Sequence, residues 1–480
     1  MSSEQTKNVI QLKGEEINLT KLGIHFQLNE QQIQALNQIC DFLIDKNKLS
    51  FTLMGYAGTG KTSIIKILLK WIDLYFKFFD YEITAPTHRA KYVIETLSGT
   101  KSNTIHSILG LMPNLNLEKL DNRNVVFNNK KEPKMPKNLL VIDEASMIND
   151  TLYDIIIDKV LYKKAQVLFI GDPAQLKPVK QTHISKVFSL ENKFELTKVE
   201  RQQGDNPLGL ILDNIRNNIW SEQQLFEYET NLNSKNEGIV CFNSSKSFIE
   251  DAKKAVEQIF NGDYLHSRIL AFSNDRVKLY NKLIRKQFGL TDEYNKGSLL
   301  MAYDSVGDDD LNSIVNSCDY IIDSIPKKTK RFIANVETIG WEVDLISTDQ
   351  KNYIPQFIVS EENSPKTLES IGFKIEEMRN NAVFHAKDRF QRLKYWKEYY
   401  YALNSFINPM DIIYDGRVIK KKSIDHGFAH TIHKSQGGSY ANVSVDLRDV
   451  AICKAFDIQQ HNQLLYVGLS RTQKIANIFV

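Results

Sequence analysis

The chain has 480 residues, with 61 Lys and Arg against 58 Asp and Glu and a formal net charge of +3. That length suits about two to four domains, and 42% hydrophobic with 25% charged residues is ordinary globular composition, which excludes disorder on a large scale. The near-balance of charge excludes a histone-like polycation, but a basic groove can sit on a neutral protein.

Cys40, Cys241, Cys318 and Cys453 form no CxxC pair and have no His cluster at zinc spacing, so reduced structural thiols are expected. The first residues, MSSEQTKNVIQLKGEEINL, lack the basic and apolar regions of a signal peptide, and no apolar run is long enough for a membrane span. A cytoplasmic protein is expected.

Residues 1–22 read as a polar, loosely held tail. From 29 to 44, NEQQIQALNQICDFLI places Ile33, Leu36, Ile39, Phe42 and Leu43 on one helical face. Short apolar runs then alternate with helical segments: SFTLMG (50–55), YEITAPT (81–87), NLLVIDEA (138–145), QVLFIGD (166–172) and FELTKVE (194–200). Each reads as a buried strand ending in polar residues, which predicts a parallel sheet with helices on both faces. In such sheets ligands gather at the carboxyl ends of the strands.

A second set follows: GIVCFN (238–243), RILAFSN (268–274), FAHTIH (428–433), NVSVDL (442–447) and ANIFV (476–480). These predict a second α/β unit, split by the stretch from about 289 to 423. That stretch differs in texture, with GDDD (307–310), PKKTKR (326–331) and an aromatic, basic segment from Phe384 to Tyr401.

GYAGTGKT (55–62) fits G-x-x-x-x-G-K-[ST] directly after a strand and before the helical run SIIKILLKWI (63–72). Gly55, Ala57, Gly58, Thr59, Gly60, Lys61, Thr62 and Ser63 are the expected nucleotide-binding set. Loop amides cradle phosphates there, and the helix N-terminus adds partial positive charge. Lys61 would reach the β/γ-phosphates and the Thr62 hydroxyl would ligate Mg²⁺.

In VIDEAS (141–146), Asp143 would hold the magnesium through water, and Glu144 would orient or deprotonate the attacking water. An apolar run followed by Asp-Glu is also an ordinary strand end. About 80 residues after a P-loop it predicts ATP hydrolysis.

In GDPAQLKPV (171–179), Gln175 is placed to sense the γ-phosphate or the attacking water, or is a polar turn residue. Arg201 and Arg471, the latter in YVGLSRT (466–472), are candidates for charge stabilisation in the transition state. A lone arginine is also commonly a surface ion pair, and spacing leaves both roles open for these two.

In this order the motifs resemble the superfamily 1 helicases, and within them the Dda-like and RecD-like branch. The resemblance runs from about Asn29 to Val480. It rests on LNEQQ (28–32), GYAGTGKT, APTHRAK (85–91), TIHSILG (104–110), VIDEAS, GDPAQLKPV, LTKVERQ (196–202), HTIHKSQGGSY (430–440) and YVGLSRT.

It implies two RecA-like parallel-sheet domains: 1A from 23–110 and 138–200, and 2A from 201–288 and 424–480. It also implies a β-hairpin pin subdomain 1B at 111–137 and an accessory domain 2B at 289–423, partly SH3-like. ATP would lie in the cleft between the RecA-like domains, with Gln32 reading the adenine edge and Arg201 and Arg471 coming from opposite units.

Strand contacts are implied at Pro86, Thr87, His88, Thr104, His106, Thr431, His433 and Lys434; the alternative for the histidines is a packed or capping side chain. Phe127 would be the apolar wedge of the pin, with packing against its own domain as the alternative; Lys130, Lys131, Lys134 and Lys137 make the segment basic, as a solvated charge run also would. The aromatic stretch from 384 to 406 is read as core at helical spacing, with base stacking as the alternative.

The forms Gly171 to Val179 and Thr431 to Gly437 are typical of the 5′→3′ branch. The resemblance therefore implies an ATP- and Mg²⁺-dependent DNA helicase moving 5′→3′ on single-stranded DNA. Single-stranded and fork-like duplex DNA would be its partners, with a single-strand-binding protein as a further one. It would work as a monomer, in a bacterial host's cytoplasm if phage-encoded. The alternatives are an RNA helicase of the same branch and a strand-stimulated ATPase that remodels protein–DNA complexes.

Overall fold

The computed structural model describes residues 9–87, 89–91, 94–95, 99–114, 126–129, 134–178, 181–199, 206–221, 228–307, 313–348 and 353–480. His88, Lys130, Lys131, Val179 and Arg201, all assigned from the sequence, lie outside them, as does the side chain of Phe127.

Helix Glu30–Ile44 starts at a capping box: the Asn29 side chain accepts from the Gln32 N–H, and Gln32 Oε1 accepts from the Asn29 N–H. Its apolar stripe buries Leu36, Ile39, Phe42 and Leu43 against the first of two large sheets. That sheet runs Lys193–Leu196, Ser50–Gly55, Gln166–Gly171, Leu139–Ile142, Tyr81–Ala85 and Asn103–Thr104, with every pairing parallel.

The run expected to continue to residue 200 stops as a strand at Leu196. Leu196 pairs with Gly55, where its neighbour among the described residues leaves the sheet to become the P-loop. An edge strand ends where its partner ends.

The second sheet runs Asn231–Leu232, Gly238–Phe242, Thr472–Phe479, Tyr440–Asp446, Ser267–Ala271 and Ala429–Thr431. It is parallel apart from the short edge strand. Thr472–Phe479 begins earlier than its apolar run predicts because it lies between two neighbours, and pairing with Tyr440 starts at Thr472. Both sheets match the two parallel α/β units expected.

The N-terminal segment corrects the sequence reading. Val9–Leu12 and Glu15–Asn18 form an antiparallel hairpin, followed by a turn of 3₁₀ helix at Leu19–Leu22. Ile10, Leu12, Ile17, Leu19, Leu22 and Ile24 are buried in the same core as helix Glu30–Ile44. Lys70 Nζ donates to the Leu22 carbonyl at 2.6 Å. Polar residues interleaved at period two disguised a strand pattern as a tail.

The stretch between the halves of the second unit carries an antiparallel sheet, with Lys327–Ile333, Val336–Ser347, Asp319–Ile322, Leu299–Ala302 and, beyond the expected boundary at 423, Ile424–His426 in order, and Tyr353–Val359 also pairing with Val336–Ser347. Helices Pro365–Asn380 and Arg389–Asn404 cover one apolar cluster of it. The aromatic segment divides: Trp396, Tyr399 and Phe406 are core, whereas Phe384, Phe390 and Tyr401 are 70%, 82% and 74% exposed.

The three sheets meet at a buried polar knot. Arg268 Nη2 donates to Asp319 Oδ2 at 2.7 Å, and Arg89 Nη2 stands 3.5 Å from the same oxygen. Arg89 also donates to the Tyr440 hydroxyl, which lies 2.9 Å from His430 Nε2. Burial pushes the Asp319 carboxyl up, but Arg268 and Arg89 outweigh it and hold it below the usual carboxylate range. All four cysteines are free, and no helix among the described residues is long and apolar enough to cross a membrane.

Candidate active site

The carboxyl ends of the first sheet open into a cleft of about 740 Å³. Gln32, Ala57, Gly58, Gly60, Lys61, Thr62, Ser63, Asp143, Glu144 and Gln175 line it from the first unit, and Gly437, Gly438, Ser439 and Arg471 line it from the second. Residues far apart in sequence, singled out by motif, therefore share one cavity.

The P-loop turns through Gly58 and Gly60, both at φ 85°, the left-handed region that favours glycine. A Cβ at Gly60 would also sit 2.5 Å from Gln32 Nε2. No side chain caps helix Lys61–Tyr75, whose first turn lines the cleft. Lys61 Nζ folds back on its own loop, donating to the carbonyls of Gly55 at 2.6 Å and Tyr56 at 2.8 Å. Gln32, expected to read a base, has both ends of its amide engaged: Oε1 in the capping box, and Nε2 donating to the Thr59 carbonyl at 3.0 Å.

Asp143 and Glu144 follow strand Leu139–Ile142. Burial pushes the Asp143 carboxyl up to about 7, the Glu144 charge adds to this, and the Glu144 N–H and Lys61 oppose it. A half-buried carboxyl beside a second carboxylate is short of positive charge, so a divalent cation fits there electrostatically. Thr62 contributes a hydroxyl to the same cleft. Among the described residues there is no cluster of three or more acidic, His or Cys side chains able to hold a metal. Mg²⁺ needs none, because it binds through one or two carboxylates plus phosphate and water. Gln175 is buried, and its Oε1 has no hydrogen-bond partner among the described residues.

Arg471 caps the C-terminus of helix Ile458–Ser470. Its guanidinium is buried, donating to the carbonyls of Val467 at 3.2 Å and Gly438 at 3.3 Å and to Ser470 Oγ at 3.1 Å.

Three residues escaped the sequence reading. The Tyr466 hydroxyl donates to Asp172 Oδ2 at 2.7 Å and accepts from the Ala57 N–H at 3.1 Å, and Gln463 Nε2 donates to the Gln175 carbonyl at 2.7 Å. Burial pushes the Asp172 carboxyl up, and Lys61 and the Tyr466 hydroxyl pull it back only in part. Tyr466 and Asp172 stood inside the quoted motifs, and an Asp at the carboxyl end of a fully buried strand was the available signal.

The residues assigned to strand contact are less alike than the motifs suggest. The hydroxyls of Thr87, Thr104 and Thr431 each accept a backbone N–H three residues on, from Ala90, Ser107 and Lys434. Each is therefore a capping side chain. His106 is half-buried, with its imidazole pushed down by burial, while His433 is exposed and its ring lies 6.2 Å from that of Phe272. Lys434 Nζ donates to Asn316 Oδ1 at 2.6 Å, and burial pushes its ammonium down to about 8. Pro86 is half-buried ahead of Thr87.

Leu111–Asn114 and Val126–Asn129 pair antiparallel, with Pro113 opposite Phe127.

A strand-terminal P-loop, an Asp-Glu pair two strands along the same sheet, and a second parallel sheet supplying an arginine to the same cleft define a two-unit P-loop nucleotide-binding protein. An AAA domain model matches residues 27–228. The Dda ATP-dependent DNA helicase of Enterobacteria phage T4 is 28% identical over 274 residues, covering 55% of this chain and 58% of that one. The RecD subunit of the RecBCD enzyme from Buchnera aphidicola is 24% identical, covering 95% of this chain and 74% of that one. A Pif1 helicase from Candida albicans overlays with a TM-score of 0.46 at 16% identity, over 95% of this chain and 94% of that one. In motif order and in these relatives the chain is similar to the superfamily 1 helicases of the branch that holds Dda and RecD, and it spans little more than half the length of the phage relative.

Proposed function

We propose that the protein is an ATP-dependent DNA helicase that moves 5′→3′ along single-stranded DNA. One observation carries the reading: the nucleotide cleft is walled by two separate parallel sheets, with the P-loop, Asp143, Glu144 and Gln175 on one side and Gly437 to Ser439 and Arg471 on the other. A nucleotide bound there touches both units, so its presence and loss change how they sit together. That is the requirement for a motor rather than a simple phosphatase. The name of the phage relative, an ATP-dependent DNA helicase, supports the same activity.

In this reading Lys61 leaves its own loop carbonyls to meet the β/γ-phosphates, and Gly58, Gly60 and the first amides of helix Lys61–Tyr75 cradle them. Thr62 and Asp143 would hold Mg²⁺, which neutralises phosphate charge when bound. Glu144 takes the proton of the attacking water, and the unpartnered Gln175 oxygen accepts from that water. Arg471 stabilises charge developing on the transferred phosphoryl group, with Arg201, at the boundary between 1A and 2A, in the same role. Gln32 reads adenine after releasing the Thr59 carbonyl. The strand is gripped from Pro86, Thr87, His88, Thr104, His106, Thr431, His433 and Lys434. The proposed units are 1A, 1B, 2A and 2B as bounded above, with Phe127 on the pin hairpin as the wedge.

Unwinding of duplexes with a single 5′ or 3′ tail tests this. The 5′-tailed substrate is expected to open, and Phe127→Ala is expected to abolish opening while leaving strand-stimulated turnover largely intact. Opening of the 3′-tailed duplex alone would reverse the polarity, and unwinding unchanged in Phe127→Ala would remove the pin assignment.

A further inference from the structure

Beyond the groups assigned to chemistry, the second unit grips the P-loop itself. Tyr466 binds the Ala57 N–H and Asp172, and Gln463, one turn earlier on the same helix, binds the Gln175 carbonyl. Arg216 of helix Leu208–Asn217 lies over the ring of the neighbouring P-loop residue, Tyr56, 3.1 Å from its centroid. The two helices pack together in one apolar cluster, which also takes in Ala174 and Leu176 from the first unit. Consecutive P-loop residues are thus held from across the cleft by a paired-helix element.

A buried tyrosine hydroxyl ordinarily finds some partner, so satisfaction of burial alone is the plain explanation. Two features go further. The hydroxyl donates and accepts at once, between a P-loop amide and the Asp that opens the Gln175 turn, so either partner moving breaks its geometry. Arg471 caps the same helix one turn beyond Tyr466, and a helix transmits such a shift as a rigid body.

We propose that Tyr466 is a positioning residue through which the second unit reads the P-loop: its hydroxyl sets where Arg471 stands relative to bound phosphates. The proposal rests on the ATPase reading above. It assigns Tyr466 no contact with nucleotide. It makes the motion of the P-loop on phosphate binding the event that the helix feels, with the Arg216–Tyr56 contact as a second handle on the same loop.

The test is Tyr466→Phe, which keeps the ring and removes the hydroxyl, measured for ATP turnover with single-stranded DNA alone and combined with Arg471→Ala. The expected result is a fall in kcat of about tenfold, equivalent to about 1.4 kcal/mol, with KM changed by less than about threefold. In the Arg471→Ala background, removing the hydroxyl is expected to cost less than about twofold more, because the arginine it positions is already gone. A kcat within about twofold of wild type, or losses that multiply, would overturn the relay. Arg216→Gln, on the partially exposed neighbouring helix, is expected to lower kcat in the same coupled way, and it decides the matter if Tyr466→Phe does not fold. Absence of turnover in the wild type would sink the ATPase reading and the relay with it. Normal wild-type turnover with an unchanged Tyr466→Phe would sink the relay alone.

Discussion

Glu144 sits at φ 51°, ψ 43°, a left-handed conformation that costs an L residue about 1–2 kcal/mol. Its N–H turns back to Asp143 Oδ1 at 2.9 Å, which brings the two carboxylates side by side at the cleft. Strain of this kind persists where the surroundings enforce it. Glu144→Gln is expected to bind ATP while losing turnover by about 10²-fold or more, and Lys61→Ala to lose turnover altogether. A fluorescent-nucleotide titration beside a phosphate-release assay separates binding from hydrolysis; turnover retained in either variant would undo the assignment. At this scale the sequence was legible where chemistry is fixed by local spacing, as in GYAGTGKT and VIDEAS. It was not legible for Tyr466, whose partner Ala57 lies 409 positions away, nor for the Gln32 amide, whose engagement depends on the fold of another loop.

Among the elements, the polar knot between the three sheets has the sharpest consequence. His430 is pushed down to about 3 by burial and by Arg89 and Arg268, with Asp319 opposing, and its Nδ1 lies 3.1 Å from the Thr431 carbonyl. His426, on the antiparallel sheet, is pushed down to about 4 by burial and by Arg285, with Asp425 opposing. Both folded values lie below the usual imidazole value of about 6.5, so the unfolded chain takes up more protons as the medium acidifies. Their stabilising contribution is complete above about pH 6.5 and is lost as pH falls toward the folded values, by up to about 2 kcal/mol for each histidine at about pH 5. Urea unfolding at about pH 7.5 and about pH 5 is expected to show this loss, and His430→Gln to show a smaller one. An equal pH dependence in wild type and variant would contradict it. Apolar runs placed the central strands correctly because burial on both faces leaves few choices of residue. The N-terminal hairpin and the end of Lys193–Leu196 were not readable, because edge elements are set by the partner they find.

Across the whole molecule, one nucleotide cleft spans two parallel sheets, and a third, antiparallel sheet is tied to both through Asp319 and through Lys434 at Asn316. Any change in the angle between the first two sheets therefore reaches the third. Sequence order foretold the two parallel units, since repeated strand–helix alternation admits few topologies. The antiparallel sheet followed no comparable local rule and was not legible in the sequence. The central claim is that nucleic acid bound outside the cleft accelerates chemistry inside it. Steady-state ATP turnover without nucleic acid, with single-stranded DNA, and with single-stranded RNA of equal length tests that claim most directly. The account predicts strong stimulation by DNA and little by RNA. Turnover indifferent to either strand, or raised equally or more by RNA, would contradict it.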